Sequence, residues 1–344
     1  MKRARGRSVG RVGLSRFLQW RFNTILIRFL PRTVGRIYLS FLGRIYFFFD
    51  RKEKQQIKRN LSAVIRRLPR KEPIDLTIRR TFKGIIAHYY EKLFIAYVHF
   101  GKVCRFLQTQ VNLEGQEHLD EALAQGRGVI LVTGHFGAVE FLPLTLALKG
   151  YEVTMVVRFK TERLKRALIH RTQYVPITLL DANNGEKVLF TALQALRANQ
   201  ILITECDEFD VWRPYRNQQT QFLGCSAPMD RTLDMLQLRY KSPVIMGFVQ
   251  REGKDRFGLK IHSLNGIHQN LETPNVSQRA LQVLERYICA LPEQWYQWKQ
   301  VRTVLGNQLF DETRPIHVVE EDTSVSLADS AMHAYQALSG RTHP

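Results

Sequence analysis

A histidine and a glutamate five positions apart, His135 and Glu140, are the residues whose types and spacing most favour chemistry in this chain. On one continuous helix such residues point about 140° apart, so their side chains would diverge. If His135 lies on a loop and Glu140 in the next helical turn, the side chains can converge. Gly134 and Gly137 allow the tight backbone that this requires.

A carboxylate bonded to one imidazole nitrogen fixes the tautomer and makes the other nitrogen more basic. The His135–Glu140 spacing therefore predicts a general base that removes a proton from a hydroxyl, with Glu140 orienting the ring. A purely structural His–Glu pair near a helix start explains the spacing equally well.

Alternating strands and helices must position this pair. Val129 to Val132 form a short apolar run between glycines, which indicates a strand buried on both faces. Residues 141–148 predict an apolar helix that tolerates Pro143 in its first turn. Residues 133–140 then form a strand-to-helix crossing, where open α/β sheets usually bind ligands. Further strands are predicted near residues 111–115, 151–157, 175–180, 200–204 and 243–249, with helices between most of them. The fold class predicted is α/β, with an open central sheet covered by helices on both faces.

The string Gly-Arg-Gly-Val-Ile-Leu-Val-Thr-Gly-His-Phe-Gly-Ala-Val-Glu, residues 126–140, resembles the signature of the bacterial lipid A biosynthesis lauroyl/myristoyl acyltransferases. They belong to the lysophospholipid acyltransferase superfamily, marked by a histidine, four residues and an acid. The resemblance extends from about Leu30 to about Arg302. It implies an O-acyltransferase with His135 and Glu140 as catalytic residues and no resident metal or cofactor, the acyl thioester being a co-substrate.

The resemblance also suggests residues that bind substrate: Phe136 and Gly137 within the signature, then Arg158, Arg171 and Asp207. Arg158 ends the strand at 151–157 and lies on the same edge as His135 if the two strands are parallel. It could hold an anionic head group or stabilise a developing oxyanion. A surface salt bridge is the alternative for both arginines.

Four acids cluster after the strand at 200–204, namely Glu205, Asp207, Glu208 and Asp210. They invite a metal site, but no histidine accompanies them in sequence and the family needs no metal. Three departures from the family pattern leave the acceptor open. Cys206-Asp207-Glu208 stands where the family usually has Pro-Asp-Gln, Ala138-Val139 where it often has Asn-Trp, and Lys299 to Arg302 where it often has His-Arg-Arg.

Positive charge is concentrated at the N-terminus. The chain of 344 residues has a net charge of +20, and residues 1–70 hold 19 Lys and Arg against Asp50 and Glu53, a net of +17. Apolar and aromatic runs alternate with these arginines, and none reaches the roughly 18 to 20 residues of a membrane-spanning helix. Such basic, aromatic helices are typical of segments that lie in a lipid interface. A nucleic-acid partner is the alternative, although no known nucleic-acid module is present.

The predicted organisation has three parts: a basic, helical, membrane-associating region (1–110), an acyltransferase α/β domain (111–306) and a flexible polar tail (307–344) with one short helix near residues 327–338. Within the first part, helices are predicted at 51–68 and 74–106. The predicted function is transfer of a fatty acyl chain from acyl carrier protein or coenzyme A to a hydroxyl of a glycolipid such as a lipid A precursor, at the cytoplasmic face of the inner membrane. Another lysolipid acceptor, or a non-catalytic lipid-binding protein, is the alternative.

Overall fold

The computed structural model describes residues 13–69, 72–209, 212–264 and 275–316. Its centre is a seven-stranded sheet in the order β1-β9-β8-β2-β5-β3-β4, and β6 and β7 pair separately as an antiparallel ribbon. The strands are β1 (Val111–Glu114), β2 (Val129–Thr133), β3 (Val153–Val157), β4 (Ile177–Asp181), β5 (Ile201–Glu205), β6 (Pro214–Phe222), β7 (Cys225–Asp230), β8 (Val244–Arg251) and β9 (Phe257–Ser263).

Five neighbouring strands, from β8 to β4, run parallel, whereas β9 is antiparallel to β8 and parallel to β1. All five residues of β2 are buried, as expected for a strand covered on both sheet faces. The predicted α/β class is confirmed, and the central sheet is mostly parallel. Because β2, β5 and β3 are parallel neighbours, the residues that follow them meet at one edge.

The helices lie around this sheet. They are α1 (Leu14–Leu18), α2 (Arg21–Phe29), α3 (Arg32–Phe49), α4 (Arg51–Ile65), α5 (Ile74–Tyr97), α6 (Phe100–Gln110), α7 (Gln116–Leu123), α8 (Leu142–Leu148), α9 (Glu162–Thr172), α10 (Glu186–Arg197), α11 (Thr232–Tyr240), α12 (Val276–Ala290) and α13 (Val301–Leu305). Side-chain caps fix two of their starts. Asp50 accepts from the Glu53 N–H before α4, and Thr161 accepts from the Leu164 N–H before α9.

The single helix predicted at 74–106 is two helices, because the chain turns out of helical geometry at Val98 (φ −71°, ψ 151°). The carbonyls of Ala96 and Val98 at this break accept hydrogen bonds from the Arg171 guanidinium of α9. A cation at the C-terminal end of a helix satisfies carbonyls that have no partner within the helix. The break is therefore supported by a residue far away in sequence, which helical periodicity could not reveal.

The basic N-terminal helices pack on α5. A Cβ atom on Gly43 of α3 would lie 2.2 Å from Cδ1 of Ile86, so glycine permits the close approach of these helices. Leu39 of α3 is completely buried. Among the described helices, none has both the length and the apolar character needed to cross a bilayer. At the other end, Leu309 and Ile316 are buried in the core. Residues 317–344, with the helix predicted at 327–338, lie outside the described ranges.

Two glycines just before β2, Gly126 and Gly128, differ in how tightly the surrounding atoms pack against them. Both have positive φ, but a Cβ on Gly128 would lie 2.6 Å from the Leu196 carbonyl oxygen, whereas one on Gly126 meets nothing within 4 Å. Left-handed backbone costs an L-residue about 1–2 kcal/mol, and forced overlap adds about 1–3 kcal/mol. Gly128→Ala should lower the free energy of unfolding by about 3 kcal/mol and Gly126→Ala by about 1 kcal/mol. Chemical unfolding of both variants tests this, and equal losses would contradict it.

Candidate active site

His135 follows β2 and is held by a carboxylate from the neighbouring strand. Its backbone N–H lies 3.0 Å from both carboxylate oxygens of Asp207, and its Nδ1 lies 3.0 Å from Oδ1 of the same residue. Asp207 comes two residues after β5 and is fully buried. The parallel register pairs Thr133 with Glu205, so the two strand ends bring His135 and Asp207 together. The Asp207 carboxylate therefore fixes both the backbone and the ring of His135.

A third segment completes this arrangement. The indole Nε1 of Trp295 donates to Oδ2 of Asp207 at 2.7 Å, and the Gln297 amide nitrogen lies 3.1 Å from Nδ1 of His135. Residues 292–298 are thus part of the site. Nothing in the sequence indicated that the indole would bind the acid after β5.

The other face of the imidazole is surrounded by negative charge. Its Nε2 lies 3.6 Å from Glu205 and 3.5 Å from Glu208. Burial alone would lower the pKa of His135, but Glu205, Asp207 and Glu208 together raise it to about 10. Burial raises the pKa of Glu205 to about 7, against the opposing effect of the imidazolium. Since Nδ1 faces Asp207, Nε2 is the nitrogen available for proton exchange with a ligand.

The predicted contact between Glu140 and the imidazole is not formed. Glu140 lies in a 3₁₀ turn, Val139–Phe141, and its Oε1 is 2.9 Å from Nζ of Lys92 and 3.8 Å from Nδ1 of His88. Within the described ranges, no hydrogen bond or ion pair joins Glu140 to His135. The short turn directs the carboxylate towards α5, so the orienting acid is Asp207. The catalytic role predicted for His135 and Glu140 stays a prediction.

The two predicted arginines have different surroundings. Arg158 follows β3 on the same sheet edge as His135; its Nη1 lies 3.6 Å from Glu208, and its buried Nε has no hydrogen-bond partner among the described residues. Arg171 donates to the carbonyls of Ala96 and Val98, so part of its guanidinium is committed to the end of α5. Burial lowers the pKa of Arg171. Arg158 is therefore the better placed of the two to contact a ligand.

The other three predicted substrate-binding residues serve the scaffold. The Phe136 ring is fully buried against Phe248 and Tyr287, and it lines neither of the two cavities near the site. Gly137 has φ +58°, and a Cβ there would lie 1.9 Å from the Val249 carbonyl oxygen. Asp207 is inaccessible and occupied by His135 and Trp295. Phe136 and Gly137 are buried because the loop after His135 folds inwards and packs on β8, and the substrate-binding role of all three residues stays a prediction.

Two cavities lie side by side at the ends of β3 and β5, and His135 lines the larger one. The larger, of about 370 Å³, is bounded by α5, α8, α9 and the N-terminal helices, and it combines apolar residues with His135, Glu140, Arg158 and Lys92. The second, of about 280 Å³, lies towards α10 and α11 and is mainly apolar. Residues at the ends of β3 and β5 line both cavities, namely Val156, Arg158, Glu205 and Glu208. The larger cavity therefore gives direct access to the imidazole, and the second cavity reaches the carboxylates beside it.

One group within the described ranges could hold a cation. Single ligand atoms of His135, Glu205 and Glu208 lie within 4.8 Å of one another. Nitrogen and carboxylate ligands of this kind suit several divalent metals. In this structure the same carboxylates already face the imidazole and, at Glu208, the Arg158 guanidinium. The chemistry of the donor set thus allows a metal without requiring one.

The effect of the neighbouring carboxylates on the pKa of His135 can be tested by NMR titration of the imidazole ring. Glu205→Gln removes a negative charge that lies 3.6 Å from Nε2 and stabilises the imidazolium. The pKa of His135 should therefore fall. We expect a decrease of about one to three units. Glu285→Gln is a matched control, since Glu285 is also a buried acid with its pKa raised to about 7 but is bonded to the Leu223 N–H. Equal shifts in both variants would contradict the assignment.

Comparison with known proteins identifies the relatives of this chain. The family profile described as bacterial lipid A biosynthesis acyltransferase matches residues 11–302. The phosphatidylinositol mannoside acyltransferase of Mycolicibacterium smegmatis is 27% identical over 140 residues, 40% of this chain and 44% of that protein. The Mycobacterium tuberculosis protein of the same name is 26% identical over 150 residues, 43% and 46% of the two chains. The matches thus span less than half the length of these relatives.

Proposed function

Because the chain belongs to the bacterial lipid A biosynthesis acyltransferase family, we propose that it transfers a fatty acyl chain from a thioester donor to a hydroxyl of a glycolipid. The expectation of an acyltransferase is confirmed at the level of the family. The pairing of His135 with the buried Asp207 on the wall of the larger cavity is the observation that carries the proposal. The donor is acyl carrier protein or acyl coenzyme A, and the acceptor is a lipid A precursor or another lysolipid or glycolipid.

In the proposed reaction, Nε2 of His135 takes the proton of the acceptor hydroxyl while the oxygen attacks the thioester carbonyl carbon. The carbon–oxygen bond forms, the carbon–sulfur bond breaks, and the leaving thiolate receives the proton from the imidazolium. The products are an ester and a free thiol, and no acyl-enzyme is needed. Asp207 keeps the ring in place through Nδ1 and the backbone N–H. Since the pKa of His135 is about 10, the neutral base is a minority form at neutral pH, and the rate should rise with pH.

Two cavities suit a reaction with two lipid-like substrates. The mainly apolar second cavity offers space for a hydrocarbon chain, and the larger cavity offers cations for an acceptor that carries negative charge. Arg158 lines both, and its fork geometry suits a phosphate or carboxylate. A passive lipid-binding protein would not require an imidazole held by Asp207, with Nε2 beside the two carboxylates that line both cavities.

The catalytic proposal is tested by transfer assays with purified protein, acyl carrier protein or coenzyme A thioesters and glycolipid acceptors identified by mass spectrometry of cellular lipids. His135→Ala should reduce transfer by about 10²- to 10⁴-fold or more, because the general base is lost. His170→Ala is the control, since His170 is an exposed histidine on α9. A folded His135→Ala protein with normal transfer would exclude this mechanism. A wild-type protein that binds these lipids without transferring any acyl chain would favour the passive alternative.

We also propose that α2 and α3 rest on an anionic membrane surface, which places the enzyme at the cytoplasmic face of the inner membrane. Each helix buries one face and exposes a second apolar stripe at helical spacing. The exposed residues are Phe22, Ile25 and Phe29 on α2, and Val34, Ile37, Phe41 and Phe48 on α3. Arg28 and Arg51 lie over the exposed rings of Phe29 and Phe48, where their guanidinium groups can reach lipid phosphates. Exposed apolar stripes edged by arginines favour a lipid interface over nucleic acid.

The membrane proposal is tested by flotation with anionic vesicles at several salt concentrations. Each buried Phe side chain contributes about 1.5–3 kcal/mol, so the double variant Phe29→Glu/Phe41→Glu should bind at least about tenfold more weakly. Met235→Glu/Leu238→Glu is the matched control, because these residues are equally exposed but lie on α11. Wild-type binding should weaken as salt rises. Equal loss in both double variants would place the contact elsewhere, and strong DNA binding without lipid preference would favour the nucleic-acid alternative.

A further inference from the structure

Lys92 on α5 brings a positive charge into the larger cavity beside His135. Its Nζ lies 2.9 Å from Oε1 of Glu140, and both side chains are partly accessible, 23% and 20% respectively. Burial opposes the charge, but Glu140 raises the pKa of Lys92 above its usual value, so Lys92 stays protonated at neutral pH. An ammonium has three N–H donors, and Glu140 needs only one of them.

The backbone N–H groups of the loop just after β2 already have hydrogen-bond acceptors within the protein. A tetrahedral intermediate at a thioester needs hydrogen-bond donors for its oxyanion, and backbone N–H groups beside the active site often supply them. Four consecutive N–H groups here are already bonded within the protein: His135 to Asp207, Phe136 to Gly134, Gly137 to Gln294 and Ala138 to Val249. Stabilisation of an oxyanion therefore has to come from elsewhere in the cavity.

Three other cations that line this cavity have partners of their own. Lys299 pairs with Glu53 at 2.6 Å, and Arg171 donates to the end of α5. Arg158 lies 3.6 Å from Glu208, on the β3 side of the imidazole. Lys92 approaches from α5, on the opposite wall, and its charge is felt at Glu205, which itself lies 3.6 Å from His135. Lys92 is thus the cation that the α5 wall offers to a carbonyl held beside the base.

We propose that Lys92 is a catalytic residue whose ammonium donates a hydrogen bond to the oxyanion, and that Glu140 is the positioning residue that holds it. The inference rests on the proposed acyl transfer. As the acceptor oxygen attacks, the carbonyl π electrons move onto oxygen and are stabilised by Lys92, which keeps its protons. They return when the carbon–sulfur bond breaks. The two residues of the His135–Glu140 motif then have separate roles. His135 is the base, and Glu140 holds the Lys92 ammonium in place.

The experiment compares steady-state kinetics of four variants. Lys92→Met should lower kcat by about 10²- to 10³-fold, as the loss of an oxyanion donor does elsewhere, with smaller changes in KM. Lys92→Arg should recover part of the rate. Glu140→Gln should also be slow, and Lys92→Met/Glu140→Gln should be no slower than Lys92→Met alone, because both act through one ammonium. The double variant also avoids an unpaired buried carboxylate, which protects the test against simple misfolding.

Two further readouts separate this role from a structural one. The pH at which the rate rises should stay that of the wild-type enzyme in Lys92→Met, since the base is unchanged, and Lys165→Met should retain wild-type kcat. Lys165 is a matched control that pairs with Asp181 at 2.7 Å outside the cavity. A folded Lys92→Met or double variant with near-normal kcat, or one whose only change is a shifted pH profile, overturns the role of Lys92 and leaves the acyltransferase proposal standing. An inactive wild-type protein overturns both.

Discussion

The buried carboxylate of Asp207 is the interaction on which the site depends. It accepts from the backbone and faces the ring of His135 on one side, and it accepts from the Trp295 indole on the other. A buried carboxylate is tolerated only when its oxygens are bonded, so each of these groups also stabilises the fold. One acid thereby connects the ends of β2 and β5 with the segment that follows α12. The rigidity of the imidazole is a consequence of this satisfied centre.

The imidazole of His135 is in contact with negatively charged groups, and positively charged groups lie further from the ring. Three carboxylates surround the ring, namely Glu205, Asp207 and Glu208. Arg158 lies beside Glu208, and Lys92 pairs with a fourth acid, Glu140. Low dielectric surroundings strengthen each of these interactions, so the protonation of His135 depends on its neighbours more than on the solvent. Such a site can hold a proton firmly and release it when a substrate changes the local charge. This property suits a group that must accept a proton and return it within one turnover.

The N-terminal helices and the α/β part form one functional unit. Residues of α5, which lies within the region 1–110, line the same cavity as His135, and α3 packs against α5 through Gly43 and Leu39. Residues of α1 and α4, which precede and follow α2 and α3 in the chain, also line this cavity.

Several features followed from the sequence alone. The apolar run at 129–132, its flanking glycines and the alternation of strands and helices predicted an α/β sheet covered by helices, and the string 126–140 predicted the family, because such patterns are set by local periodicity and residue type. Tertiary structure decided the partners. The turn Val139–Phe141 directs the Glu140 carboxylate towards Lys92. Parallel pairing of β2 with β5 brings His135 into contact with Asp207. The break between α5 and α6 depends on Arg171, and Phe136 and Gly137 pack inwards. These contacts join residues from about 40 to 160 positions apart or depend on a single turn, so no pattern within one segment could specify them.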